Sequence, residues 1–120
     1  MTGNLVIDDS SLAYSAAGSP ATATTTTTWD LANDQVLVLD APATGIAISL
    51  QTTGTPPAGA AYTLIFTQGA TSASTMTFSS TFKFPGGVDP TVTASTDAID
   101  IMSFVSDGTS LLGTAALDLQ

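Results

Sequence analysis

From Trp29 onward, apolar and polar residues alternate with a period of two along most of the chain. In "GIAISLQ" (45–51) Ile46, Ile48 and Leu50 fall on one face, and in "AYTLIFTQ" (61–68) Tyr62, Leu64 and Phe66 do the same. That period belongs to a strand with one buried face, since a helix repeats its apolar positions three and four residues apart. The same reading predicts strands in "QVLVLDA" (35–41), "STMTFSS" (74–80), "TFKF" (81–84) and "PTVTAS" (90–95), then "AIDIMSFVSD" (98–107) and "SLLGTAALDL" (110–119). Between them lie turn formers: Pro42, the Gly- and Pro-rich "TTGTPPAGA" (52–60), and Pro85-Gly86-Gly87, read as a structural turn. Short strands at regular spacing with no capped helical pattern predict an all-β fold, an antiparallel β-sandwich or barrel of jelly-roll type.

In "AIDIMSFV" the residues Ile99, Ile101 and Val105 alternate with Met102 and Phe104, so both faces carry apolar groups. This predicts a central strand with the core on one side and a second sheet or a neighbouring subunit on the other. In "TFKF" the pattern sends Phe82 and Phe84 inward and leaves Lys83 in water, an edge-strand cation that discourages aggregation. Asp89 or Asp100 is the expected partner for that ammonium.

Residues 1–28 read differently. They hold one β-like run, Leu5-Val6-Ile7, and one aromatic, Tyr14, followed by small residues and a Thr run. Too few large apolar groups are present to build a core, so the segment is read as an extended N-terminal arm, with residues 29–120 as the β domain. Leu5, Val6, Ile7 and Tyr14 are the candidate partner-binding residues of that arm, through strand addition to an exposed edge. The Thr run has two readings, a disordered linker or a strand ordered against a neighbour. Trp29, just after it, reads as a plug at one end of the domain, with stacking on a carbohydrate as the alternative.

Composition narrows the function classes. All ten acids are Asp, Lys83 is the single cation, and the formal net charge is −9. Gripping phosphates takes several Lys or Arg side chains, so nucleic acid is excluded as a partner, and so is attraction to an anionic membrane. Cys and His are absent, which removes disulfides, thiolate chemistry and the commonest acid-base group. Ser80 with Lys83, and paired carboxylates drawn from Asp8 and Asp9 or from Asp97 and Asp100, are weak catalytic arrangements, because single Asp residues beside Gly, Thr, Ser or Pro usually form turns. "DGTS" after Asp107 lacks the alternating acids of a calcium loop. No catalytic residue, cofactor site or metal site is assigned. The start "MTGNLVIDDSS" has neither a basic region nor a long apolar stretch. The expectation is therefore a complete soluble chain that is not exported by the ordinary route.

The stretch from 58 to 113 resembles a segment common in bacteriophage virion proteins. The resemblance is carried by Tyr62, Thr63, Leu64 and Gln68, by Phe84, Pro85, Gly86, Gly87, Pro90 and Thr93, and by Asp100, Phe104, Asp107 and Gly108. Phe84 stands where such proteins often have Trp, and Leu111 and Leu112 where they have an aromatic pair. The resemblance implies a capsid decoration or cement protein: a homotrimer on the virion surface that binds the major capsid protein and stabilises contacts between capsomers, made in the host cytoplasm. A tail-fibre or other tail-associated receptor-binding module is the alternative.

Overall fold

A computed structural model describes residues 21–119. Its strands are β1 (Ala21–Thr22), β2 (Thr26–Asp30), β3 (Val36–Asp40), β4 (Ala47–Thr53), β5 (Ala61–Thr67), β6 (Thr75–Phe78), β7 (Phe82–Lys83), β8 (Ile99–Ser106) and β9 (Leu111–Leu119). They form a large sheet in the order β1-β3-β5-β8-β9-β7 and a small one in the order β2-β4-β6. From β1 to β6 the chain alternates between the two sheets, and each strand lies parallel to the one two places on in sequence. This is winding of a solenoid kind.

The fold is all-β as expected, but strand direction departs from the antiparallel jelly-roll expectation. Among the described residues, pairs β1–β3, β3–β5, β2–β4, β4–β6 and β7–β9 are parallel, and only β5–β8 and β8–β9 run antiparallel. A period of two records which face a residue occupies and nothing about the direction of its neighbour, so the pattern fits either arrangement. The antiparallel part begins where the chain stops coiling. The hairpin β8–β9 lays β8 against β5, and β7 closes the far side of β9.

Stacked corners hold the coils in register. Between β3 and β4, and again between β5 and β6, the chain turns from one sheet to the other, with the N–H of Ser72 donating to Ala43 and that of Thr75 to Ile46. Gly45 sits where these corners touch: a Cβ there would lie 2.9 Å from the Ala73 carbonyl carbon and closer still to its oxygen. Buried Gln68 ties the upper corner together. Its Oε1 accepts from the N–H groups of Gly69 and Ser74 at 2.9 and 2.8 Å, and its Nε2 donates to the carbonyls of Ser74 and Thr93 at 3.0 and 2.9 Å. A buried primary amide is stable there because all these groups are matched.

The core is one cluster fed by both sheets. Leu39, Leu64, Phe66 and Met102 come from the large sheet, and Ile48, Leu50 and Met76 from the small one. At one end it becomes aromatic. Trp29 packs edge-on to Tyr62 and Phe104 at ring-centre distances of 6.0 and 6.1 Å, and Phe82 lies 5.3 Å from Phe104. Such pairs each contribute about 0.5–1.5 kcal/mol beyond the area they bury. Polar ends of the rings are satisfied as well: Trp29 Nε1 donates to the Asp34 carbonyl at 2.7 Å and the Tyr62 hydroxyl to that of Leu31 at 2.8 Å.

Residues 26–28 of the Thr run belong to β2 and pair with Ser49, Leu50 and Gln51 of the same chain. The run is thus a strand ordered within its own fold, and of the segment read as an arm, residues 21–28 lie against the coil. "PTVTAS" is not a strand. Its Thr93 is held by a side chain instead of a ladder, the N–H and hydroxyl donating to the Asp100 carboxyl at 2.7 and 2.8 Å.

Candidate docking surface

Strand β8 lies between β5 and β9, the central place that its two apolar faces predict. Its inward residues Asp100, Met102, Phe104 and Ser106 are buried, whereas Ile99, Ser103 and Val105 on the other face are exposed. The small sheet lies on the inward side, so among the described residues nothing covers the outer face of the large sheet.

Register builds that face row by row. One row joins Ala61, Val105, Leu112 and Lys83, and the next joins Val36, Thr63, Ser103 and Thr114. The third brings Val38, Ile65, Ile101 and Ala116 together. The last runs from Asp40 through Thr67 and Ile99 to Leu119, where a bulge interrupts β9. Asp40 at one corner and Lys83, beside Leu112 at the opposite one, are the charged residues in these rows. Val105 is 52% exposed and Leu112 47% exposed, on a chain that carries ten carboxylates. A shallow concavity of about 610 Å³ lies here, lined by Ala61, Thr63, Val105, Leu112 and Thr114 among others.

The outer face of the small sheet has a different chemistry, with Thr26 and Thr28 of β2, Ser49 and Gln51 of β4, and Thr75 and Thr77 of β6. Beside β6 runs a second groove of about 280 Å³, between Met76 and Val92, with Asp89 at its rim. In the parallel ladder the N–H groups of Thr75 and Ser79 donate to Ile46 and Leu50. Alternation then turns the main-chain groups of Met76 and Phe78 toward the outer edge of the sheet.

The residues singled out from sequence are dispersed. Leu5, Val6, Ile7 and Tyr14, with Asp8 and Asp9, lie outside the described residues. Pro85, Gly86 and Gly87 form a single 3₁₀ turn after β7, the two glycines at φ of 70° and 73°. Lys83 is exposed on an edge strand, with Phe82 and Phe84 buried on either side of it. Its electrostatic neighbour is Asp107. Asp100, the partner expected for Lys83, is instead 1% exposed, and its carboxyl oxygens accept from Thr93 and from the N–H of Asp118 at 2.8 Å. That arrangement is structural, a polar staple between β8, β9 and the 90s loop. Trp29 is fully buried, which fits the plug reading and removes carbohydrate stacking.

Asp107 opens the β8–β9 turn, and its Oδ1 accepts from the N–H of Ser110 at 2.7 Å and of Thr109 at 2.9 Å. These two bonds, Ser110 first, hold its pKa below the ordinary carboxylate value, with a smaller contribution from Lys83. Burial pushes the Tyr62 phenol up. Among the described residues no three acidic side chains come together in a metal-binding group.

Sequence reasoning missed Gln68 as a corner staple and the outer face as a continuous surface. The apolar outward residues of β8 were the available signal for the face. Comparison of the chain with family models, curated proteins and solved structures gives no match.

Proposed function

We propose that this chain is a non-enzymatic structural protein that works by docking a flat sheet face against another protein surface. The observation that carries the reading is the outer face of β3, β5, β8 and β9, apolar and threonine-rich with Asp40 at one corner and Lys83 of β7 at the opposite one, on a body of net charge −9. Contiguous exposed apolar surface of this kind marks an interaction site, because a lone soluble domain gains solubility by breaking it up with charge. With no His and no Cys in the chain, catalysis has few of its usual groups to draw on.

Within that class, the virion-protein motif in residues 58–113 supports a decoration or cement protein on the outside of a phage capsid, bound to the major capsid protein. The sequence resemblance alone supports this narrower reading. Leu5, Val6 and Ile7 would add a strand to a shell edge in this scheme, and several weak arms on one oligomer would act together through effective concentration. Quantitative protein analysis of purified phage particles tests it. Copy numbers comparable to those of capsomers are expected; a handful of copies per particle points to the tail-associated module, and none removes the virion reading.

A further inference from the structure

We infer that the occupant of the large sheet's outer face is a second copy of this chain, packed face to face about a two-fold axis. The inference rests on the docking reading above and names the partner of that same surface.

Charge is the first reason. Two bodies of net charge −9 repel wherever their carboxylates meet, so copies associate stably only through a surface that keeps those groups apart. The outer face does so, its one carboxylate standing at a corner. A basic partner protein would instead bring Lys or Arg against Val105, Ile101 and Leu112 and against the Lys83 ammonium beside them, with Asp40 alone to pair them.

Size is the second. Four strands about 4.8 Å apart, β3 giving three and β5, β8 and β9 each giving four outward positions about 6.8 Å apart, present on the order of 500 Å². Two copies then bury about 1,000 Å² together, where specific interfaces begin and where association is weak to moderate. Shape is the third reason. A shallow, open face with apolar and Thr chemistry across most of its rows can pack against its own copy about a two-fold axis, and such patches close as isologous pairs. Aligned packing at about 10 Å between sheets would give the outward residues of β8 the second apolar layer that its two-sided pattern calls for. Ser103, exposed beside half-buried Ile101 and Thr63, lies near the centre of the face and hence near the axis.

The chain has no Cys, so a single substitution supplies a single thiol. The test uses the full chain carrying Ser103→Cys, treated at tens of micromolar with a short bismaleimide that spans the roughly 10 Å between packed sheets. Thr75→Cys, on the outer face of the small sheet, serves as the control, and circular dichroism checks that each variant is folded. The expected result is a covalent dimer from Ser103→Cys and none from Thr75→Cys. Adding Val105→Asp and Ile99→Asp to the first should cut the cross-linked yield at least about tenfold, because each copy then buries two unpaired charges. Absence of cross-linking at Ser103→Cys, equal cross-linking from Thr75→Cys, or a yield unchanged by the two Asp substitutions in a folded protein would each overturn the inference. The particle analysis above reads separately: a protein abundant on virions but uncross-linked in solution keeps the docking reading and loses the second copy.

Discussion

Phe104 on β8 and Gly113 on β9 are directly opposed in the antiparallel ladder, and the Phe104 ring occupies the space where a side chain at 113 would stand. A Cβ on Gly113 would lie 2.5 Å from Phe104 Cε1 and 2.8 Å from the Ser103 carbonyl oxygen. An aromatic ring over a strand glycine restores the burial that the missing side chain forfeits. The same ring touches Trp29, Phe82 and Phe84, so the pair links the hairpin to the aromatic end of the core.

Gly113→Ala should therefore destabilise by about 1–3 kcal/mol, the usual cost of overpacking a filled site. Combining it with Phe104→Leu should be non-additive by about 1 kcal/mol, since removing the ring removes the clash. Urea unfolding of the two single variants and the double variant measures both quantities.

Tyr62 couples burial to pH. Tyr62→Phe leaves the Leu31 carbonyl without its donor and should cost about 1–2 kcal/mol at neutral pH. Because the folded-state pKa of Tyr62 is raised from 10.0, its contribution is fully present below pH 10.0 and is lost as pH rises through the folded value. Thermal melts between neutral pH and pH 11 should show an alkaline loss of stability that is smaller in Tyr62→Phe.

The inward faces were legible in the chain. Tyr62, Leu64 and Phe66 are all buried on β5, as alternation requires, and Phe82 and Phe84 flank an outward Lys83. Strand direction was not legible, because Ile48 and Leu50 look the same beside a parallel or an antiparallel neighbour. "PTVTAS" carries strand-like residues but takes no place in a ladder, since Asp100, seven positions on, satisfies the Thr93 main chain. Gln68 and Asp100 each act through several bonds to groups that the fold brings to them, and no local pattern announces a single polar residue of that kind. The docking surface was half legible: Ile99, Ile101 and Val105 showed a second apolar face, but its continuation into Val36, Val38 and Leu112 depends on register.

Asp100→Ala should be among the most damaging single substitutions. It strands the half-buried Thr93 N–H and hydroxyl and removes the bond from the Asp118 N–H, at about 3 kcal/mol. Hydrogen exchange should report it locally, with protection falling first at Thr93 and Asp118.

At the hairpin tip, the lowered pKa of Asp107 gives the opposite pH sense to that of Tyr62. Its contribution is present above the unfolded value near 3.8 and is lost as pH falls through the folded one. Asp107→Asn should flatten the acid limb of a stability profile recorded below about pH 4. An unchanged limb would show that the Thr109 and Ser110 hydrogen bonds do not depend on the carboxylate charge.

The central claim is that a largely uncharged sheet face joins bodies that otherwise repel one another. Sedimentation equilibrium of the purified full chain across a range of salt concentration tests it most directly, because screening weakens the repulsion between the −9 bodies and leaves apolar contact in place. The account predicts a monomer–dimer equilibrium in the micromolar range that tightens as salt is raised. A chain that stays monomeric at every salt concentration, or a complex that loosens as salt is added, would contradict it.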